Sequence, residues 1–320
     1  MILKRLYTFI NSDLEVIEKA LEDTIQAENP VLKEASMHLL QAGGKRIRPV
    51  FVLLSAKFGD YNIDKIKNAA VALELIHTAS LVHDDVIDNA ELRRGAPTVK
   101  AKWDNRIAMY TGDYIFARAV ELMTSIKKIE AHQVLSKTMV ELCIGEIEQI
   151  KDKYDWDQNL RTYLRRIKRK TAILIAVSCQ LGAIVSEAPI HIQRQLYRFG
   201  YNVGMAFQIT DDILDFTGTE KELGKPAGSD LQQGNITLPA LYALRNEAIK
   251  KEIIDTFDMT NEQNMKHIIS LVEKSGGIEY SKQISERYLR KANEILKELP
   301  NCKEKTALLN IAKYIGKRKF

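Results

Sequence analysis

Residues 73–88, LELIHTASLVHDDVID, constrain this chain more than any other stretch. They are apolar for most of their length and then end abruptly in Asp84, Asp85 and Asp88. At about 3.6 residues per turn, Asp84 and Asp88 stand one above the other on one helix face. Two like charges there repel each other, and the C-terminal end of a helix dipole is already negative. Helix stability gives no reason for them. The pattern returns in FQITDDILDF, where Asp211, Asp212 and Asp215 close a second apolar helix.

Around these clusters almost every segment reads as helix. Val and Ile recur at i, i+3 and i+4 rather than in alternation, and no Asn-Gly hairpin signal separates strand-like runs. No internal repeat or low-complexity linker interrupts the 320 residues, which predicts one all-α domain over 1–320. The spacing predicts one or two helices over 12–41, a helix over 66–88, and a helix start at Thr111 with Asp113 as its cap. The most apolar run, 173–185, contains Ser178 and Gln180 and is shorter than the roughly 20 residues of a membrane span. No transmembrane segment is therefore read, and early charges at Lys4 and Arg5 leave no signal peptide. Cys143, Cys179 and Cys302 are isolated, which argues against a disulfide framework or zinc site and fits a reducing cytoplasm. A net charge of +5 suits anionic small molecules and is no signature of nucleic-acid binding.

Paired hard-oxygen ligands on one face are what Mg²⁺ uses when substrate phosphates complete its shell. Two such pairs suggest a diphosphate held between them. The cations have two readings each. GGKRIRP sets Lys45, Arg46 and Arg48 between a helix stop and Pro49, either as solvated charges at a junction or as a phosphate site at a helix start. Arg93 and Arg94 are either salt-bridge partners of the first cluster or bidentate phosphate donors. Lys170 and Thr171 lie where the basic run 161–170 turns apolar, a boundary at which a cation faces a cavity or a partner charge. Gln208 lies one turn before the second cluster. The glycine-rich segment 217–239, with Lys225 and Asp230, reads as a mobile lid or a plain surface loop. Ser80 and Ile76 follow Asp84 back along its face, with Ala79 beside them, as core packing or a tunnel wall. His83 next to Asp84 raises a rival, a His-Asp metal phosphohydrolase.

GGKRIRP, LVHDDVIDNAELRRG, RKTA, FQITDDILD, GKPAGSD and TLP, in that order, resemble the trans-isoprenyl diphosphate synthases, or polyprenyl synthetases. The resemblance covers nearly the whole chain. It implies an isoprenoid synthase fold of ten or more helices around a central cavity, with both acidic boxes at its mouth. It also implies a prenyltransferase that condenses isopentenyl diphosphate onto an allylic diphosphate such as farnesyl diphosphate. By the same resemblance Asp84, Asp88, Asp211, Asp215 and Asp230 serve Mg²⁺, with Asp85 and Asp212 in support. Arg93, Lys170, Thr171, Gln208 and Lys225 would hold the allylic diphosphate, and Lys45, Arg48, His77 and Arg94 the isopentenyl diphosphate. In the family, bulky side chains four or five positions before the first box block growth. Ala79 and Ser80 are small, with Ile76 a turn further back, so the expected product is longer than farnesyl. Its expected length is about heptaprenyl, with hexaprenyl and octaprenyl as alternatives, for a quinone such as menaquinone. VKAKWDNRIAMYTGDY, TYLRRIKRKTAILIAVSCQLGA and AKYIGKRKF resemble the catalytic component of two-component bacterial members. That implies a heterodimer with a smaller non-identical subunit (component I) and transient membrane contact for product release. Asn235 departs from the Lys that many relatives carry before TLP.

Overall fold

The structure is a computed structural model that describes residues 7–219, 226–257 and 262–317. Among them the expected all-α architecture of more than ten helices is present. In chain order these are α1 (Asn11–Thr24), α2 (Pro30–Gln41), α3 (Ile47–Ala56), α4 (Ile63–Ile87), α5 (Val99–Lys102), α6 (Asn105–Thr124), α7 (Ile129–Lys151) and α8 (Leu160–Ile167). A π-helical turn, Lys168–Ala172, leads into α9 (Ile173–Val185) and α10 (Ile190–Thr217). Then follow α11 (Ser229–Gln232), α12 (Leu238–Ala243), α13 (Glu247–Thr256), α14 (Glu262–Lys274), α15 (Gly277–Lys297) and α16 (Lys303–Gly316). The chain divides into two compact units, each assembled from three separate stretches.

The first unit takes the described residues within Met1–Ser136, Leu174–Tyr197 and Leu299–Leu308. Its centre is α4, which packs against α1, α3 and α6. Asn62 caps α4 by accepting from the Asp64 amide at 2.9 Å, so the helix starts earlier than its apolar stripe suggests. Every residue of α3 from Pro49 to Ala56 is buried. A Cβ on Gly182 of α9 would lie 2.2 Å from the Val52 carbonyl oxygen, so the backbones of α9 and α3 touch there. A helix apolar on all sides is a buried one, which accounts for the composition of α9. Among the described residues no helix is long and apolar enough to cross a membrane.

Two local expectations are corrected here, and one element is added. Asp113 is no cap: α6 starts at Asn105, where Asp104 accepts from the Ile107 amide at 2.8 Å. Thr111-Gly112 imitates a helix start because Gly112 is reserved for packing; a Cβ there would sit 2.2 Å from His83 Nε2. Pro49 does not open α3, which begins two residues earlier from Arg46, whose backbone is left-handed at φ 45°. Finally, the RRG stretch is a small antiparallel hairpin, β1 (Leu92–Arg93) with β2 (Ala96–Pro97). Arg94 and Gly95 take φ 54° and 79°, the pair of positive values that a tight two-residue hairpin turn requires.

The second unit takes the described residues within Lys137–Ile173, Arg198–Glu298 and Leu309–Phe320. Its core gathers Tyr163 and Ile167 of α8, Met205, Ile209 and Phe216 of α10, and Leu238 and Leu241 of α12. Gly204 brings α10 against the π-turn, since a Cβ there would lie 2.6 Å from Ala172 Cα. Within the glycine-rich segment the described residues include α11, and Lys225 lies outside the described residues.

Candidate active site

The first acidic box closes α4, and the way that helix ends fixes where its carboxylates stand. Asn89 adopts φ 50° and donates its amide to Val86 O at 3.3 Å, while Ala90 donates to Asp85 O at 2.9 Å. These two bonds form a Schellman stop with Asn in the left-handed position. Asp84 and Asp85 are buried, at 9% and 1% exposure, and Asp88 is half-buried. Arg93, leaving β1, grips Asp85 Oδ1 with Nε at 2.7 Å and Nη2 at 2.6 Å. Burial pushes the Asp85 carboxyl up, Arg93 pulls it down, and the neighbouring Asp84 and Asp88 add to the rise. Asp85 Oδ2 remains buried with no hydrogen-bond partner.

One turn from Ser80 on the same helix, His77 is surrounded by arginines. Burial and the charges of Arg48, Arg94, Arg93 and Arg46 hold its imidazole well below the ordinary range, so it is neutral at physiological pH. The arginines share one buried counter-charge. Glu74, 2% exposed, lies 3.3 Å from Arg46 Nη1, and Arg46 also makes a bidentate pair with Glu18 at 2.7 and 3.2 Å. Burial presses the Arg48 guanidinium down to about 10, Glu74 opposes this and Arg94 adds to it; it stays charged near pH 7. Arg48 Nε is buried without an acceptor. Arg94 packs over Gly44, where a Cβ would meet its Nη1 at 2.7 Å. Positive φ at Arg46 and Arg94 is uncommon for non-glycine residues and is typical of strained functional positions. The unpartnered Arg48 Nε suits an anion, and the unpartnered Asp85 Oδ2 suits a cation.

The second box lies on α10. Asp212 and Asp215 are each 2% exposed, and Asp211 is half-buried. Asp212 Oδ2 accepts from the Tyr163 hydroxyl at 2.6 Å, and Oδ1 accepts from Gln208 Nε2 at 2.8 Å. Thr171 donates to Gln208 Oε1 at 2.6 Å, and Lys170 Nζ donates to Gln149 Oε1 at 2.9 Å. Thr171 and Lys170 both belong to the π-turn, a distortion often found at functional sites. Asp215 accepts from Ser229 Oγ at 3.1 Å and the Asp230 amide at 3.2 Å, tying α11 to α10. Asn235 donates its amide to Asp230 O at 2.8 Å, and its Oδ1 is buried without a partner. Burial, with the Asp230 charge second, pushes the Asp212 carboxyl up to about 7 against the pull of Tyr163 and Gln208.

The first unit thus gathers Asp84, Asp85, Asp88, Arg93, Arg94, Arg48 and His77 in one neighbourhood. The second gathers Thr171, Gln208 and Asp212 in one hydrogen-bonded chain, with Lys170 beside Thr171 in sequence, and bonds Asp215 to Asp230. Ala79 and Ile76 are fully buried, while Ser80 is half-buried and donates to His77 O at 2.8 Å. Sequence reasoning gave no part to Glu74, Tyr163 or Gln149, and it read Arg46 as a solvated charge or a phosphate ligand, not as the ion-pair partner of Glu18 and Glu74. His83 faces α6, 3.3 Å from both Met109 O and Asp113 Oδ1, which leaves a His-Asp metal dyad no support. Among the described residues no group of three metal-ligating side chains converges; the carboxylate pairs of the two boxes fit the one or two carboxylates that Mg²⁺ takes beside waters and substrate phosphates.

The polyprenyl synthetase family profile matches residues 29–274. Heptaprenyl diphosphate synthase component 2 of Bacillus subtilis (strain 168) is 63% identical over 99% of this chain and 91% of its own length. The protein of the same name from Geobacillus stearothermophilus is 60% identical over 100% of both chains. The crystal structure of heptaprenyl diphosphate synthase from Staphylococcus aureus superposes with a TM-score of 0.92 at 43% identity, covering 97% of this chain and 98% of that one. A polyprenyl synthase from Caulobacter crescentus CB15, complexed with calcium and isoprenyl diphosphate, gives 0.92 at 30% identity, covering 99% and 98%.

Proposed function

The chain belongs to the polyprenyl synthetase family, and from that premise we propose that it is the catalytic component of a two-subunit trans-prenyltransferase making heptaprenyl diphosphate. It adds isopentenyl diphosphate units to an allylic diphosphate such as farnesyl diphosphate. The observation that carries this reading is the cluster of Arg46, Arg48, Arg93 and Arg94 around a neutral His77, with Arg93 also gripping Asp85 of the first acidic box. A neutral imidazole can donate or accept without adding charge, while planar guanidiniums suit diphosphate oxygens.

In this reading Lys45, Arg48, His77 and Arg94 hold isopentenyl diphosphate. Arg93, Lys170, Thr171, Gln208 and Lys225 hold the allylic diphosphate. Asp84, Asp88, Asp211, Asp215 and Asp230 would hold Mg²⁺. Magnesium bound there would neutralise charge that develops on the departing diphosphate. The fixed cations stabilise the same charge, and the apolar face of α4 keeps water from the allylic carbon. The growing chain runs along Ala79, Ser80 and Ile76. A bulky replacement, Ala79→Tyr, is expected to shorten the product; an unchanged product spectrum would remove that residue from the wall.

The name component 2, borne by the two relatives, implies another component, and we extend that to a smaller non-identical subunit here. An apolar stripe on α7 supports a partner: Val140, Ile144, Ile147 and Ile150 are 59, 40, 55 and 45% exposed at successive turns. Three free cysteines support a reducing cytoplasm as the setting, with brief membrane contact when the product leaves. The test is elongation of farnesyl diphosphate with labelled isopentenyl diphosphate, with and without the co-expressed smaller subunit. Full activity of the purified chain alone would sink the two-subunit reading.

A further inference from the structure

The second acidic box is held by a residue to which the proposed function gives no part. Tyr163, fully buried on α8, donates to one oxygen of Asp212, and Gln208 donates to the other. Gln208 in turn accepts from Thr171. Side chains from α8 and α10 therefore meet on one carboxylate, whose two oxygens are both engaged by the protein, and the π-turn joins through Gln208. Gln208 turns its NH₂ toward Asp212 and its carbonyl oxygen toward the Thr171 hydroxyl, so one amide relays the carboxylate to the π-turn. Helix α8 is itself pinned: Arg166, 4% exposed, donates to Ile236 O at 2.6 Å and to Gln158 Oε1 at 3.1 Å.

We propose that Tyr163 is a positioning residue for allylic diphosphate binding, acting through Asp212 to fix the orientation of Gln208 and Thr171. The proposal rests on the reading in which that pair holds the allylic diphosphate. Removing the hydroxyl leaves Asp212 Oδ2 buried and short of a donor, and Asp212 then competes for the hydrogens that orient Gln208. Removing the outer partners of a metal-site ligand typically costs roughly 10–100-fold in metal affinity or activity, the scale expected for this carboxylate.

The experiment uses the full chain with its partner subunit. Binding of inorganic pyrophosphate with Mg²⁺ is measured by titration calorimetry, with isopentenyl diphosphate present to fill its own subsite. Tyr163→Phe should weaken pyrophosphate binding about tenfold and raise KM for farnesyl diphosphate by a similar factor. KM for isopentenyl diphosphate should stay within about twofold, a split that a general loss of structure would not give. In an Asp212→Asn background, Tyr163→Phe should add less than about twofold, because its route of action is gone. Pyrophosphate binding unchanged in Tyr163→Phe, equal rises in both KM values, or the full tenfold loss repeated in the Asp212→Asn background would each overturn the proposal. Should Tyr163→Phe fail to fold, Asp212→Asn alone decides, since it must weaken pyrophosphate binding while sparing KM for isopentenyl diphosphate. A wild-type complex that elongates nothing would instead overturn the prenyltransferase reading itself.

Discussion

DDVID and DDILD share the pattern DDxxD, yet the two boxes are held by different chemistry. In the first, Asp85 is gripped by a guanidinium, Arg93, which offsets part of its burial. In the second, Asp212 is gripped by a phenol and an amide, neutral donors that offset burial less well, and it rises to about 7. In both, the second Asp is an inward-facing anchor at 1–2% exposure. The motif fixes the spacing of the carboxylates, whereas residues outside it fix their charge and orientation.

The largest expected effect tests whether both boxes are needed. Asp84→Ala and Asp211→Ala should each lower the elongation rate by about 10³-fold, on the scale of losing a transition-state charge stabiliser. A box whose first Asp can be removed at little cost would break the symmetry of function that accompanies the difference in support. Next in size is stability. Arg93→Ala strands Asp85 without its cation and should cost about 2–3 kcal/mol, the low end for a buried pair because Arg93 is 28% exposed. Tyr163→Phe, which removes one neutral bond, should cost about 1 kcal/mol. Thermal melts that rank the two in the opposite order would contradict the contrast between charged and neutral support. Between these lies Gly204→Ala, whose methyl must push the π-turn backbone aside, at about 1–2 kcal/mol with weaker binding of the allylic substrate.

The smallest effect is on pH dependence. Asp212 titrates near 7 in the folded chain, against about 3.9 when unfolded. The folded state therefore binds more protons across that window, so stability of the metal-free chain falls as pH rises from about 4 to about 7, then levels off. Asp212→Asn should flatten the fall by about one proton's worth of slope in urea denaturation across pH. An unchanged slope would mean that the neutral donors hold Asp212 ionised after all.

Helix periodicity and the acidic boxes were legible because each is written in consecutive residues. Arg93 stood close enough to the first box for an ion pair to be one of its two readings, and the folded chain forms that pair. The π-turn was only half legible: the switch from basic to apolar at Lys170-Thr171 marked the place without showing the distortion. Tyr163 was invisible, since it sits in a basic helix 49 residues from Asp212 and nothing local relates the two. The same basic run hid Arg166, a buried strut that reads like its solvated neighbours. Asp104 was missed as a cap because Thr111-Gly112 imitates a start, and only the His83 ring explains that glycine. Glu74 looked like one polar residue on an apolar helix until three arginines converged on it.

The most direct test is chromatography of the products made from farnesyl diphosphate and labelled isopentenyl diphosphate by the chain together with the proposed smaller subunit. Label running as heptaprenyl diphosphate with the wild type, and absent with Asp84→Ala, is the predicted result. Label left entirely in isopentenyl diphosphate with the wild type, or elongation unaffected by Asp84→Ala, would contradict the assignment of prenyl transfer to the first acidic box.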